Sequence, residues 1–489
     1  MDNERQTHTQ QPAIRLVFVF APRLLLPLLV VIGLHLSPRP IGLQQSLYAA
    51  SVAHRRAWHD IESAALHRIA GYQPWRTGIW ERMGVAALAA GDLDTAQIAF
   101  GESEQRGDLT AQGRLAFGEV YWQQGNHDKA LHTWRPLFER GQAEVGLFER
   151  AAQARRTDGQ RQELAEILHL WMNAHPTMAR PAYELAILSL PEDPHSALAY
   201  LRAASRQDAA LRTRTFQLEQ ALQRAVSADP DAYLQALLGR ALAAMGEWSA
   251  AERTFESATR LNAGYAEAWA FLGEARQQNG GDGRAAIEMA LELDPQSVAA
   301  RTLAALFWRR AGDAQAGLAY MEELAADFPQ QGIWQVEIAH TLAEMGEYVQ
   351  ALDHLQRATA IEPGRAELWR LLGQFCVENR LHIREIGLPA ARKALSLAPA
   401  NADMYDLMGL ALLQLADVVG AERFLHRALQ IDPMHASAHL HLGQLYLNQE
   451  KYVQAAAHLQ QALASANENQ AKVGAIAARL LAQYGLAGH

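Results

Sequence analysis

Three histidines near the C-terminal end offer the strongest candidate for metal chemistry. His435, His439 and His441 lie close together, and the first two are one helical turn apart. Imidazole nitrogens at such spacing can ligate zinc. However, His435 falls in a turn after Pro433, and His439 occupies a position that Trp369 fills in an earlier segment of similar pattern. The pattern therefore favours packed or solvated histidines, and we predict no bound metal and no cofactor.

The sequence contains none of the common nucleotide-binding or catalytic motifs. There is no Gly-x-x-x-x-Gly-Lys loop, no Gly-x-Ser-x-Gly elbow and no His-Glu-x-x-His. Glu322 and Glu323 are adjacent carboxylates, which are typical of a solvated helix face. We therefore predict that the protein is not an enzyme. The alternative is an enzyme whose site lies in an irregular, proline-containing region over 145–230.

Composition narrows the possible partners. The formal net charge of -9 and the pI near 6.1 leave no basic surface for nucleic acid. Cys376 is the single cysteine of the 489 residues, which excludes an intrachain disulfide and a cysteine-rich zinc site. Hydrophobic residues make up 49% of the chain, but aromatic residues only 8%, which is typical of closely packed helices. No small-molecule substrate is indicated.

A short pattern recurs along the chain with a period of 34 residues. Gly84 and Gly118 are separated by this distance, and so are Gly409 and Gly443. Within one period the apolar positions fall on one face of each of two helices, as in Leu442, Gly443 and Tyr446 followed by Ala455, Leu459 and Ala462. Two antiparallel helices are predicted to face each other, approaching closely at Gly443 and Ala455. A fixed period of this length indicates an all-α helical solenoid.

The order Trp, Leu-Gly, Tyr, Ala, Phe, Ala, Pro at these offsets resembles the tetratricopeptide repeat (TPR) family, in a membrane-anchored bacterial form. The resemblance covers most of the chain. It implies a right-handed helical solenoid that acts as an interaction scaffold, and a partner protein or peptide segment that lies in a concave groove lined by the first helices. The Lys and Asn set with which some members clamp a chaperone C-terminus is missing, so that partner is not expected.

Counting along each predicted first helix gives the inward positions of this groove. They are polar and of both signs: Glu119, Trp122, Arg240, Glu274, Gln277, Arg309, His340, Arg370, Gln374, Asp406, Gln444 and Asn448. Arg309 and Arg370 could hold acidic groups by bidentate pairing, or could remain solvated.

The segment Ile14 to Leu36 is strongly apolar and is long enough to span a bilayer if Arg23 is accommodated. Three interpretations remain open: a membrane-anchoring helix, a cleaved signal peptide, and a buried helix of a soluble regulatory TPR module. We favour the anchor. It predicts a single-pass protein of a bacterial cytoplasmic membrane, with the repeats on the extracytoplasmic side. Bacterial proteins of this plan often serve cell-envelope or polysaccharide assembly, so the resemblance implies such a role.

The predicted organisation follows from these observations. It comprises a polar tail over 1–13, a transmembrane anchor over 14–36, a linker and degenerate helix pair over 37–75, N-terminal TPRs over 76–144, degenerate repeats over 145–231, a C-terminal TPR array over 232–469, and a capping helix and tail over 470–489.

Overall fold

The computed structural model describes residues 41–157, 159–229, 231–466 and 470–486. Within these ranges there are 26 α-helices, one π-helical turn and no strand, which confirms the predicted all-α repeat solenoid. Across the described ranges, every helix is too short or too polar to cross a membrane. The predicted anchor over 14–36 lies outside the described residues.

The helices divide between two compact units. The first contains the described residues up to Leu188 together with Ala199–Arg212, and the second contains Ser189–Leu198 and the described residues from Thr213 onwards. Helices of the first unit are α1 (Ile41–Arg55), α2 (His59–Tyr72), α3 (Ile79–Ala89), α4 (Leu93–Gln105), α5 (Ala111–Gln123), α6 (His127–Glu139), α7 (Val145–Thr157), α8 (Arg161–Ala174) and α9 (Ala179–Leu188). Two further helices, α10 (Pro194–Gln207) and α11 (Ala209–Ser227), contribute residues to both units.

The second unit continues the pattern of paired helices. Its helices are α12 (Ala232–Ala244), α13 (Trp248–Leu261), α14 (Ala266–Gln278), α15 (Arg284–Leu293), α16 (Val298–Arg310), α17 (Ala314–Asp327), α18 (Gly332–Glu344), α19 (Tyr348–Ile361), α20 (Ala366–Glu378), α21 (Leu388–Leu397), α22 (Ala402–Gln414), α23 (Val418–Ile431), α24 (Ala436–Asn448), α25 (Tyr452–Ser465) and α26 (Ala471–Gln483). A π-helical turn, Ile383–Gly387, precedes α21. The last helix, α26, packs against α24 and α25.

Local sequence sets where the helices begin and end. In the turn between α5 and α6, Gly125 adopts a φ of 76°, a left-handed conformation that glycine takes without steric penalty. The side chain of Asn126 then accepts a hydrogen bond from the backbone N–H of Lys129 at 3.2 Å and caps α6. Asp417 caps α23 in the same way, through Gly420 at 2.9 Å. Each repeat thus carries its own signals for ending one helix and starting the next.

Close contact between the two helices of a repeat occurs at a glycine of the first helix. A Cβ placed on Gly118 would lie 2.0 Å from Nε1 of Trp134, and one on Gly239 would lie 2.5 Å from the ring of Phe255. Trp134 and Phe255 are almost completely buried. The bulky side chain therefore fills the space that the missing Cβ leaves, as the sequence pattern predicts for Gly443.

In several repeats, the ring of the fourth residue of the first helix donates a hydrogen bond to the carbonyl oxygen six residues earlier. The indole N–H of Trp269 donates to Ala263 O at 2.8 Å, and that of Trp369 donates to Pro363 O at 2.9 Å. His439 uses Nε2 for the same bond, at 3.1 Å from Pro433 O. We call this bond the ring clasp. It confirms that His439 stands at the position of Trp369 in the repeat.

Candidate functional site

Within each unit, the candidate site is the surface formed by the first helices of consecutive repeats, which we call the first-helix face. In the second unit α12 contacts α14, α14 contacts α16, α20 contacts α22, and α22 contacts α24. In the first unit α3 contacts α5. All twelve predicted groove residues lie on first helices. The structure shows which of them are joined and by what; their role in binding stays a prediction.

In the first unit, Arg150 of α7 joins Glu119 and Trp122 of α5. Its Nη1 lies 2.9 Å from a carboxylate oxygen of Glu119. Its guanidinium carbon lies 4.6 Å from the ring centroid of Trp122, which in turn stacks on Trp134. The arginine therefore combines an ion pair with a cation–π contact. This arrangement fixes both predicted residues to the following repeat.

In the second unit, Arg310 of α16 joins Glu274 and Gln277 of α14. Its Nη1 lies 2.6 and 2.7 Å from the two carboxylate oxygens of Glu274, and 3.1 Å from Oε1 of Gln277. Gln277 also donates its amide N–H to Phe307 O at 3.1 Å. Because Glu274 is 7% exposed, Arg310 supplies the positive charge that this buried carboxylate requires.

The two arginines that were candidates for acidic ligands have carboxylate partners within the chain. Arg309 lies 3.3 Å from Glu344 and 3.7 Å from Glu337, both on α18. Arg370 pairs with both oxygens of Glu367, at 2.6 and 2.9 Å. The hydrogen bond with Glu367 raises the pKa of Arg370. An acidic segment of another protein would therefore compete with these glutamates.

The remaining interactions of Arg370 run along its own helix. Its guanidinium donates to Gln374, and Gln374 donates its amide N–H to Glu378 at 2.7 Å. The predicted pair Arg370 and Gln374 is therefore in direct contact on α20.

The three histidines considered for metal binding have different hydrogen-bond partners. His435 lies 2.9 Å from a carboxylate oxygen of Asp403, and His441 lies 2.7 Å from Asp406. His439 instead forms the ring clasp and lies beside His458 of α25. In the described ranges, no group of three histidine, cysteine or acidic side chains is placed to hold a metal ion.

The pKa shifts of the first of these pairs show how it is held. Burial alone would lower the pKa of His435, but the hydrogen bond with Asp403 and nearby carboxylates raise it overall. The same hydrogen bond lowers the pKa of Asp403. Both shifts favour the charged pair, which links α22 to α24.

Five of the twelve predicted residues form no ion pair and no side-chain hydrogen bond within the described ranges. One of them, Trp122, is held by its contacts with Arg150 and Trp134. The guanidinium carbon of exposed Arg240 lies 5.3 Å from the ring centroid of Phe271. His340, Gln444 and Asn448 have no side-chain hydrogen bond within the part of the chain that the structure describes, and His340 and Asn448 are exposed. Their polar groups are therefore available to a partner without breaking an intrachain bond.

A cleft in the first unit is lined in part by residues of the 145–230 region. It has a volume of about 780 Å³ and lies between α6 and α8. Arg155, at its base, pairs with Asp128 at 2.6 Å and with Glu163 at 2.8 Å. His132 and Glu166 also line the cleft. Through its two ion pairs, Arg155 joins α6 to α8 across the cleft.

Sequence reasoning missed the residues that pair with the predicted groove positions. Arg150, Arg310 and His441 each stand one repeat beyond their acidic partner, at separations of 31, 36 and 35 residues. Opposite charges on first helices at a separation near the repeat length would have been the signal.

Comparison with known proteins identifies the repeats. Family models described as tetratricopeptide repeat match residues 309–375 and 412–480, and residues 81–135 and 236–280. These segments are tetratricopeptide repeats. Every predicted groove residue except Asp406 lies inside a matched TPR segment. No curated protein matches the chain.

Several solved structures resemble the chain at low identity. Yeast Tom70 is 12% identical with a TM-score of 0.42, over 90% of this chain and 96% of that one. The APC/C hetero-tetramer Cut9-Hcn1 is 13% identical with a TM-score of 0.37, over 89% and 96%. A tetratricopeptide repeat protein from Parabacteroides merdae is 12% identical with a TM-score of 0.39, over 54% and 99%.

These likenesses concern the fold alone. The chain contains a TPR scaffold suited to protein–protein interaction, and proteins built from TPRs are typically non-catalytic.

Proposed function

We propose that this protein is a non-enzymatic, membrane-anchored TPR scaffold that binds an extended segment of another protein along its first-helix face. The proposal rests on one observation: the first-helix face carries both charged groups that are paired within the chain and polar groups that are unpaired. Its charged groups are largely neutralised by pairs such as Arg310 with Glu274, whereas His340, Gln444 and Asn448 keep free polar groups. Imidazole and amide groups can donate and accept hydrogen bonds, so they suit the backbone of an extended peptide.

Site-specific cross-linking in native membranes tests the binding face. A photoreactive amino acid replaces Gln444 on α24 in one protein and Gln454 on α25 in a matched control. Both positions belong to the last full repeat, but only the first lies on the first-helix face. We expect capture of a protein from position 444 and not from position 454. Equal capture from both positions would rule out the first-helix face as the binding surface.

Charge reversal then tests whether the paired arginines contribute to binding of the partner protein. Replacing Arg309 and Arg370 with glutamate places like charges beside Glu344 and Glu367. If the partner is acidic and binds the arginines in place of these glutamates, capture from position 444 is lost. If the partner instead forms hydrogen bonds with the unpaired amide groups, capture from position 444 is retained. Retained capture is the outcome that the proposal expects.

The anchor is supported by the apolar sequence over 14–36, and its proposed setting is the cytoplasmic membrane of a bacterium, with the repeats outside the cytoplasm, in envelope or polysaccharide assembly. Deleting residues 1–40 tests it, because α1 begins at Ile41. We expect the full chain in the membrane fraction and the deletion variant folded in the soluble fraction. A deletion variant that fails to fold would favour the alternative, in which the segment packs against its own repeats in a soluble regulatory module.

A further inference from the structure

One edge of the first unit exposes large apolar side chains where the described chain begins. α1 starts at Ile41, which is 75% exposed, and α2 ends at Tyr72, which is 45% exposed. Trp75, in the loop before α3, is 76% exposed. Full burial of such side chains ordinarily contributes to stability, so three of them exposed at one edge form a surface that is suited to contact.

Contacts within the first unit position Tyr72 and the loop that carries Trp75. A Cβ on Gly42 would lie 2.5 Å from the hydroxyl oxygen of Tyr72, so Tyr72 lies directly against the first turn of α1. The loop that carries Trp75 is fixed at Pro74, whose carbonyl oxygen accepts from Nη1 of Arg106 at 2.9 Å and from the indole of Trp80 at 3.4 Å. Trp75 is therefore presented to solvent by a loop that is itself anchored to α3 and α4.

Two arginines flank the apolar side chains. Arg68 is exposed one helical turn before Tyr72 on α2, and Arg76 is exposed directly after Trp75. Neither forms an ion pair with a carboxylate within the described ranges. We call Ile41, Tyr72, Trp75 and these two arginines the N-terminal edge patch. Tryptophan, tyrosine and arginine together are the side chains that prefer the interface between lipid headgroups and acyl chains.

The chain length places this patch near the proposed anchor. The apolar sequence ends at Leu36 and α1 begins at Ile41, so five residue steps separate them. An extended chain spans at most about 3.6 Å per residue, which limits this separation to roughly 18 Å. Ile41, the first residue of the patch, therefore lies within that distance of the membrane end of the proposed anchor. The composition of the patch and the short segment that joins it to the proposed anchor therefore both indicate contact with the membrane surface.

We propose that the N-terminal edge patch rests on the lipid headgroup interface of the membrane that holds residues 14–36. This inference depends on the proposed anchor. Contact at this edge would fix how the first unit stands on the bilayer, because the anchor and the patch are two points of attachment. A protein partner, or the segment 14–36 folded back on the patch, are the alternatives that the experiment must separate.

A fluorescent reporter in the full-length protein tests the contact. Trp75→Cys is labelled with an environment-sensitive dye and reconstituted into vesicles of phosphatidylcholine and phosphatidylglycerol. Val453→Cys is the matched control, since Val453 is 85% exposed on α25 of the second unit. The native Cys376 is buried, and burial raises the pKa of its thiol to about 11, so labelling at neutral pH selects the introduced cysteine.

We expect the dye at position 75 to emit at shorter wavelength in vesicles and to be quenched by lipids that carry a spin label near the headgroup. The dye at position 453 should show neither change. In vesicles that contain phosphatidylglycerol, Arg68→Glu with Arg76→Glu should weaken the quenching at position 75.

Three results would overturn the inference, each for a separate reason. If the protein floats with the vesicles but the dye at position 75 behaves as in water, the anchor stands and the patch does not touch lipid. If the dye is shielded but lipid does not quench it, protein covers the patch. If the protein does not float at all, the proposed anchor fails, and the contact with it.

Discussion

A Cβ placed on Gly443 would lie 2.6 Å from Cδ2 of Leu459, so the two helices of the last full repeat touch at a point that admits only a hydrogen atom. Leu459 is completely buried there, as is Ala455 one turn earlier on the same helix. Stability of the repeat therefore depends on small residues at defined positions as much as on large apolar ones.

We expect Ala455→Trp to lower the free energy of unfolding by about 1 to 3 kcal/mol, because the indole has no space between α24 and α25. Val453→Trp is the matched control, two residues away on the exposed side of α25. It should change stability by less than about 0.5 kcal/mol. Urea unfolding at neutral pH measures both. Equal unfolding midpoints for the two variants would mean that the helix contact lies elsewhere.

We expect Gly118→Ala to destabilise the first unit by about 1 to 3 kcal/mol. The new methyl group would displace the ring of Trp134, whose indole N–H donates to Leu115 O at 3.0 Å. Gly101→Ala is the control with opposite sign. Gly101 lies within α4 with open space around it, so alanine should stabilise by about 0.5 to 1 kcal/mol through helix propensity. Thermal unfolding distinguishes the two signs.

We expect the ring clasp of Trp369 to contribute about 0.5 to 1.5 kcal/mol, the usual net value of a single hydrogen bond. Trp369→Phe keeps most of the ring but removes the donor to Pro363 O. Trp308→Phe is the comparison, since the indole N–H of Trp308 has no hydrogen-bond partner in the described ranges. The difference between the two losses in unfolding free energy isolates the bond. No difference would show that the ring acts only by packing.

The pH dependence of stability should depend on His458. Its ring lies on the rings of His439 and Tyr446, and Nδ1 of His439 is 3.0 Å from Nδ1 of His458. Because a carbonyl oxygen only accepts, Nε2 of His439 carries the hydrogen of the ring clasp, and when His439 is neutral its Nδ1 accepts from Nδ1 of His458. Burial, then the neighbouring charges of His439 and His426, lower the pKa of His458 to about 4.

This lowered pKa gives the direction of the effect. The unfolded chain binds a proton at His458 near pH 6.5, but the folded chain does so only near pH 4. The stability from neutral His458 is therefore complete above about pH 6.5 and is lost as the pH falls towards about 4. His458→Gln should flatten the pH dependence of the unfolding free energy over this window. An unchanged slope would exclude His458 as the group responsible.

The repeat architecture could be predicted because the residues that recur with the 34-residue period are those at which the helices pack. Gly443 and Ala455 are small in the sequence because helices touch there, so the spacing alone located the contact. The same reasoning placed His439 at the position of Trp369, because a ring-bearing residue recurs at that position of the repeat.

The first-helix face was predicted only in outline, for a physical reason. Helical spacing indicates which way a side chain points, but not which neighbour it meets. Arg309 and Arg370 were counted as potential binders of acidic groups, whereas Glu344 and Glu367 already occupy them. Glu344 lies on the first helix of the next repeat, so its pairing with Arg309 depends on how one repeat is rotated relative to the next, and a periodic sequence does not contain that rotation. Glu367 lies three residues before Arg370 on the same helix, so helical spacing could have predicted that pair.

The ring clasp also bears on how the array would respond to a pulling force. In Trp269, Trp369 and His439 the bond spans six residues and joins the turn before a repeat to the first helix of that repeat. If the chain is stretched from its ends, a ring clasp should therefore break only when the repeat that carries its ring begins to unfold. Mechanically, each clasped repeat should behave as a separate link, and extension should proceed in steps whose length is set by the repeat rather than by the whole chain.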